Sequence, residues 1–226
     1  MQIEIKYSPA YSIAFANLDQ GEAIRAESGA MVSHSIGLQM ETKAQGGLLK
    51  GLKRAALGGE SFFINTFTAT APGDQIGLAP PLPGDIAHWP LAGQTVYLQS
   101  GAYLASALGI EVDTQWGGSK TFFSSEGLFM LKVSGTGDLL VSAYGAIHAI
   151  DLAAGQSYVV DTGHMVGWSD GITYQVNKAG GGWKQTLLGG EGLVCTLTGP
   201  GRIYLQTRSP SDFLGWLIPQ LPSPSS

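Results

Sequence analysis

The stretch GEAIRAESGAMVSHSIG at residues 21–37 decides the fold, because its glycine spacing returns twice further along the chain. An interval of eight residues between glycines fits a strand of about five or six residues followed by a tight turn that needs positive φ. We interpret nine positions as structural repeat glycines: Gly21, Gly29, Gly37, Gly93, Gly101, Gly109, Gly155, Gly163 and Gly171.

The residues around these glycines repeat as well. Ala30-Met31-Val32 corresponds to Ala102-Tyr103-Leu104 and to His164-Met165-Val166. Each copy closes with a glutamate that precedes a strand and a glycine turn. Self-similarity of this period indicates a tandem array. The predicted units are residues 1–71, 72–135 and 136–208, and residues 209–226 follow as a short helix and a disordered tail.

Short runs of β-branched and aromatic residues, separated by glycine, proline and aspartate, predict strands throughout the three units. The expected fold is all-β, with three tandem antiparallel β units in a pseudo-threefold arrangement that resembles a β-sandwich or a double-stranded β-helix. A short C-terminal helix is predicted at residues 211–218, between Pro210 and Pro219.

The composition limits the function. Charged residues make up 13% of the 226 residues, against roughly 25% in an average protein, so part of the surface is expected to be hidden in an oligomer. The net charge of -5 opposes nucleic-acid binding. Cys195 lies in an apolar run, which predicts a buried thiol and excludes an intramolecular disulfide. The chain start lacks a signal-peptide pattern, and we expect a soluble, cytoplasmic protein.

A basic amphipathic insert interrupts the first unit at residues 46–59. Its apolar side chains share one helical face and its basic side chains share another. Such a segment could contact an anionic membrane surface or a protein partner, or it could pack on the chain's own sheet or a neighbouring subunit. The candidate contact residues are Leu48, Leu49, Lys50, Leu52, Lys53 and Arg54.

Two short motifs resemble catalytic signatures without their context. Residues 167–171 match the G-x-S-x-G nucleophile elbow, but a strand rather than a helix is predicted to follow. Ser169 also occupies the repeat position of Ser35 and Ala107, which indicates a packing residue. Residues 117–121 end like a phosphate loop without its upstream glycine. No catalytic residue and no cofactor are predicted.

Metal binding has weak support. His34, His88, His148 and His164 show no ligand spacing. The only weak candidates are Glu60, Glu126 and Glu191, which share one repeat position. Related carboxylates could converge on an axis and hold a hard cation. We favour the local alternative, in which each glutamate accepts hydrogen bonds from backbone N–H groups beside its turn, so no metal site is predicted.

Three segments together resemble the mitochondrial-biogenesis AIM family: residues 21–32, residues 46–63 and the closing residues 204–209. The likeness spans nearly the whole chain. It implies a β fold like that of the tryptophan RNA-binding attenuation protein, with three such units fused in one chain and homo-oligomers, with trimers favoured. RNA and tryptophan binding are not expected to transfer, because this acidic chain lacks a repeated basic motif. The resemblance implies no catalytic residues.

Together these observations favour a noncatalytic oligomeric scaffold or interaction module, near a membrane if the insert binds one. The alternative is a small-ligand or metal-binding protein, or an enzyme, with a site in a cleft between repeats that includes the three glutamates or His164.

Overall fold

The structure is a computed structural model that describes residues 1–44, 63–113, 129–178 and 193–222. Strands dominate these ranges, and one short α-helix lies near the C-terminus. The prediction of an all-β fold with a short C-terminal helix is therefore confirmed.

Seven strands lie in residues 1–78. They are β1 (Gln2–Lys6), β2 (Ile13–Leu18), β3 (Ala23–Glu27), β4 (Met31–His34), β5 (Gln39–Ala44), β6 (Phe63–Thr68) and β7 (Asp74–Leu78). Alternation of buried and half-buried side chains along β2 is typical of a strand with one face in the core. β2 and β4 pair with β7, β3 and β5 pair with β6, and β1 pairs with β2, all antiparallel.

Two long strands span the middle of the chain. The strands here are β8 (Gly84–Gln99), β9 (Tyr103–Ala107), β10 (Ile110–Asp113) and β11 (Met130–Tyr144). β8 and β11 pair along their whole lengths, with a register shift between Ser134 and Thr136. The first half of β11 also pairs with β10, and its second half pairs with β9.

Six strands and the helix complete the chain. They are β12 (Ile147–Leu152), β13 (Ser157–Asp161), β14 (Met165–Ser169), β15 (Thr173–Lys178), β16 (Leu193–Thr198), β17 (Gly201–Gln206) and α1 (Pro210–Leu217). β12 and β14 pair with β17, whereas β13 and β15 pair with β16. The Ser209 hydroxyl accepts a hydrogen bond from the backbone N–H of Asp212 at 3.2 Å and so caps α1.

Two strand pairings connect these regions, and we call them the internal junctions. β3 pairs with β9, and β8 pairs with β14. They join ten strands into one sheet with the path β12-β17-β14-β8-β11-β9-β3-β6-β5, to which β10 adds at β11. Two smaller sheets remain at the ends, β1-β2-β7-β4 and β13-β16-β15.

Three clusters of buried side chains form the core. Their largest members are Phe67, Tyr103 and Trp168, each no more than 1% exposed. The third cluster contains Cys195 and lies under β13, β14, β16 and β17. The buried thiol expected from the sequence is thus confirmed.

The repeat glycines adopt more than one conformation. Gly21, Gly93 and Gly155 share a repeat position and have φ values of 80°, 100° and 76°. Positive φ also occurs at Gly29 and Gly171. It does not occur at Gly37, Gly101, Gly109 and Gly163. Gly101 and Gly163 lie in short 3₁₀ turns, which use ordinary negative φ.

Candidate functional site

Several strands in the described ranges have a single paired neighbour, and β4 and β13 are two of them. β4 borders the four-stranded sheet and β13 borders the three-stranded sheet. Both expose apolar side chains: Val32 is 57% exposed, and Tyr158 and Val159 are 43% and 59% exposed. Exposed apolar edges of this kind offer unpaired backbone groups to another strand.

A pocket of about 300 Å³ adjoins one of these edges. β13 supplies Tyr158 and Val159 to its lining, β12 supplies His148, and the turn before β14 supplies His164. The end of β17 forms the remaining wall. This pocket therefore lies inside the third predicted unit and has the edge strand as one of its sides.

Several polar groups of the pocket take part in structural hydrogen bonds. Nδ1 of His164 lies 2.8 Å from the carbonyl oxygen of Gln206. The Gln206 amide donates to the Gly163 carbonyl at 2.9 Å and accepts from the Tyr144 N–H at 2.9 Å. Asp161 accepts from the Gly163 N–H at 2.7 Å. These bonds fix the turn and the strand ends, and they do not align an acid, a base and a nucleophile.

Two buried side chains of the core have strongly raised pKa values. Burial raises the pKa of the Cys195 thiol to about 12. Burial also raises the pKa of Tyr103 to about 12, although its hydroxyl lies 2.8 Å from that of Ser106 and this contact opposes the shift. Loss of solvation explains both values, so they do not identify activated catalytic groups.

The nucleophile-elbow motif has a structural role. Ser169 ends β14, and β15 follows the turn at residues 170–172, so the strand-turn-helix geometry of an elbow is absent there. The Ser169 hydroxyl accepts a hydrogen bond from the backbone N–H of Arg202 at 2.9 Å. The packing interpretation made from the repeat alignment agrees with this position.

The four histidines are dispersed over different strands. His34 lies on β4, with Nδ1 2.7 Å from the carbonyl oxygen of Ser35. His88 lies on β8 and pairs with Asp138 of β11 at 2.7 Å. His148 and His164 line the pocket. Across the described ranges no group of three or more His, Cys, Asp or Glu residues could hold a metal ion.

Several residues singled out in the sequence lie outside the described residues. They are the basic insert with Leu48, Leu49, Lys50, Leu52, Lys53 and Arg54, the glutamates Glu60, Glu126 and Glu191, and the phosphate-loop-like residues 117–121. Their roles remain predictions.

The sequence analysis did not identify β4 and β13 as edges. One signal was present: neither strand contains a lysine or a proline, the residues that commonly protect a sheet edge. The two strands also lie in the first and last predicted units, where a linear array of paired units would leave its edges open.

Comparison with known proteins places the chain in a family. A family model described as Mitochondrial biogenesis AIM24 matches residues 3–208. The chain belongs to the AIM24 family. The family resemblance seen in the sequence motifs is thus confirmed.

Two relatives of this AIM24 member come from Streptococcus pyogenes. An uncharacterized protein of the serotype M6 strain is 31% identical over 234 residues, which cover 100% of this chain and 93% of the relative. The X-ray crystal structure of a Streptococcus pyogenes protein superimposes with a TM-score of 0.79 at 30% identity, covering 97% of this chain and 99% of the other. Among the described residues of the AIM24 member, the helices are too short or too polar to cross a bilayer.

Proposed function

We propose that this AIM24 family member is a noncatalytic scaffold or interaction module that works as a homo-oligomer in the cytoplasm. One observation carries the proposal. Each of the two smaller sheets has one edge strand, β4 or β13, that exposes apolar side chains and pairs on one side only within the described ranges. Such edges promote self-association, because their unpaired backbone groups can pair with a strand of another chain.

The proposal includes three tandem units with the boundaries 1–71, 72–135 and 136–208. Its support is a recurring order of strand pairing. Within residues 1–78, β2 and β4 pair with β7 while β3 and β5 pair with β6, and within residues 147–206, β12 and β14 pair with β17 while β13 and β15 pair with β16. Residues 84–144 have the same order within two long strands. The recurring pairing thus follows the three predicted units with ends displaced by several residues.

This order supports a pseudo-threefold arrangement and a unit fold like that of the tryptophan RNA-binding attenuation protein. A unit of this size rarely buries enough surface to be stable alone. Joining units by strand pairing buries the edges of each, and the same process between chains would assemble trimers. We propose no RNA binding, because the chain carries 12 basic residues against 17 acidic ones.

The basic insert at residues 46–59 is proposed as the contact for a partner outside the oligomer. Sedimentation with vesicles of anionic lipids tests whether that partner is a membrane. Loss of sedimentation when Lys50, Lys53 and Arg54 are replaced by glutamine would identify a membrane surface. Sedimentation that does not depend on these side chains would assign the insert to a protein contact.

The alternative of a ligand site, metal site or enzyme has less support. Three polar side chains of the pocket beside β13, Asp161, His164 and Gln206, are engaged in structural hydrogen bonds. Elemental analysis of the purified protein tests the metal version, and stoichiometric metal would favour a site at the three glutamates.

Light scattering over a range of protein concentrations tests the scaffold proposal itself. We expect a mass that is an integral multiple of the chain mass of 23.6 kDa. A monomer at every concentration would contradict the proposal.

A further inference from the structure

The C-terminal helix exposes most of its apolar side chains. α1 (Pro210–Leu217) continues into a 3₁₀ turn at Ile218–Gln220, and no residue of either element is buried. We call four large apolar residues of this segment the α1 patch: Leu214, Trp216, Ile218 and Leu221, which are 49%, 62%, 61% and 57% exposed. Single exposed apolar side chains are ordinary, whereas a contiguous group of them usually marks a contact surface.

The first turn of α1 holds the helix on the body of the protein. The Phe213 ring packs edge-on against Tyr144 of β11, and the ring centroids are 6.0 Å apart. Oδ2 of Asp212 lies 3.8 Å from Nε2 of His164. The helix is therefore fixed in place by contacts that do not involve the α1 patch.

Helical geometry explains why this packing leaves the patch uncovered. Successive residues of a helix are rotated by about 100°. Phe213 and Leu217 therefore lie one turn apart on one line of the helix, and both are half-buried. Leu214 and Ile218 lie on one side of that line, and Trp216 lies on the other. The apolar arc of α1 is thus wider than the surface that the helix packs on.

The charge of this segment favours a neutral partner. Residues 213–226 contain no Asp, Glu, Lys, Arg or His. The patch therefore brings no charged group that would form an ion pair with a protein, and none whose burial among acyl chains would be costly. Tryptophan is enriched at the boundary between lipid headgroups and acyl chains, where its apolar ring and its polar N–H are both accommodated.

The size of the patch also argues against a second folded chain as its occupant. Three aliphatic side chains and one indole at these exposures leave roughly 400 Å² of apolar surface in solvent. A stable contact between two folded proteins buries about 800 Å² on each partner. A bilayer needs no matching shape, and binding to it strengthens in proportion to the apolar area that is buried.

We propose that the α1 patch docks this protein on the surface of a lipid bilayer by inserting among electrically neutral phospholipids. α1 is too short to span a bilayer, so it lies in the plane of the headgroups. Leu214, Ile218 and Leu221 contact acyl chains, and Trp216 lies at the level of the headgroups. This contact goes beyond the function proposed above, because it requires neither the basic insert nor an oligomer.

Flotation with vesicles of phosphatidylcholine alone tests the docking. We expect the full chain to float with these vesicles. Leu214→Glu and Ile218→Glu each place a carboxylate in the patch and should lower the partition coefficient by at least about 10-fold. Ile36→Glu is the matched control, because Ile36 is fully exposed in the turn between β4 and β5. It should float like the wild type.

Quenching by brominated phosphatidylcholine locates the inserted residue. Bromine on the acyl chains quenches tryptophan fluorescence only at short range, so the wild type should lose intensity when it binds. Trp216→Phe keeps an apolar side chain in the patch. It should still float, but its fluorescence should be quenched much less than that of the wild type. Equal quenching in the two proteins would show that another tryptophan is inserted and would overturn the proposal.

Salt and lipid charge separate this contact from the basic insert. Insertion of uncharged side chains should not weaken at high salt, whereas attraction of lysines to anionic headgroups is screened. Replacement of Lys50, Lys53 and Arg54 by glutamine should leave flotation with phosphatidylcholine unchanged. Binding that appears only with anionic lipid and disappears at high salt would assign the membrane contact to the insert and contradict docking by α1.

Two further results would overturn the proposal. One is a wild-type chain that does not float with phosphatidylcholine vesicles. The other is a lipid-free Leu214→Glu variant with a lower mass than the wild type in light scattering, which would show that a second copy covers the patch. Circular dichroism verifies that each variant is folded. If the wild type is a monomer that floats, the oligomeric scaffold is wrong and the docking by α1 stands.

Discussion

At matching repeat positions, side chains at the internal junctions of this AIM24 member are shielded from solvent by a second paired strand, whereas those on the edge strands β4 and β13 are not. Trp168 at the second junction is 1% exposed. It lies opposite Tyr97, and their ring centroids are 5.9 Å apart. His34 occupies the same repeat position on β4 and is exposed. Ser106 occupies that position at the first junction and is also 1% exposed. A second paired strand therefore shields this position from solvent whether the residue is aromatic or polar.

This contrast shows that a repeat position alone does not determine burial. Strand pairing supplies the cover, and the chain provides that pairing twice. The same backbone geometry without a partner leaves the position in solvent. Unfolding measurements on matched positions can therefore show how much a second paired strand adds to stability.

The largest effect is expected from removing the buried side chain at a junction. Trp168→Ala should lower the free energy of unfolding by about 3–5 kcal/mol, because it removes buried aromatic surface and leaves a cavity. The ring contacts Tyr174 as well, with a centroid separation of 5.0 Å. Urea unfolding at concentrations below the onset of association gives the value for the single chain.

His34→Ala is the matched control for this substitution. Because the side chain is exposed on β4, its removal should change the free energy of unfolding by less than about 0.5 kcal/mol. A cost as large as that of Trp168→Ala would mean that β4 is covered within the single chain. The comparison between junction and edge would then be wrong.

The strands and the C-terminal helix were predictable from the sequence because local signals specify them. Glycine at regular intervals marks turns, and Pro210 with Ser209 before it marks the start of α1. Positive φ at Gly21, Gly93 and Gly155 agrees with the turn interpretation. At Gly101 the same sequence signal leads into a 3₁₀ turn, since local hydrogen bonding and not glycine alone sets the turn type.

The edges were harder to predict because they depend on which strands are neighbours in space. The alignment that equates Val32 with Leu104 and Val166 gives the three positions the same apolar character. Only the strand pairing shows that the first lacks a neighbour. The pocket is equally hard to predict, since residues from β12, β13 and β17 that are distant in sequence line it.

A second prediction concerns pH and tests whether Cys195, in the sheet β13-β16-β15, and Tyr103 stay buried in the folded protein. Burial raises the pKa of Cys195 from 9.0 to about 12 and that of Tyr103 from 10.0 to about 12. The folded state therefore holds these protons more tightly than the unfolded state. Their stabilising contribution is complete below pH 9 and is lost as the pH rises towards 12, at up to about 1.4 kcal/mol per pH unit for each group.

Urea unfolding between pH 8 and 11 measures this decline, and Cys195→Ala and Tyr103→Phe should each make it shallower. Cys195 lies on β16 of the terminal sheet, whereas Tyr103 lies on β9 at an internal junction. We expect both variants to make the decline shallower, because both side chains are fully buried. Prompt reaction of Cys195 with a thiol reagent in the folded protein at pH 8 would indicate that the terminal sheet opens readily.

The smallest effect distinguishes two glycines at one repeat position, Gly29 after β3 and Gly101 after β8. Gly29 has φ of 91° and no atom within 4 Å of an added Cβ, so Gly29→Ala meets only backbone strain and should cost about 1–2 kcal/mol. Gly101 lies outside that φ range, and its added Cβ would come no closer than 3.4 Å to the Gln99 side chain. Gly101→Ala should therefore be neutral or stabilise by about 0.4–1 kcal/mol, because it restricts the unfolded chain. Thermal unfolding of the two variants under identical conditions measures the difference. Equal losses at both positions would contradict the difference in backbone conformation between the turns at Gly29 and Gly101.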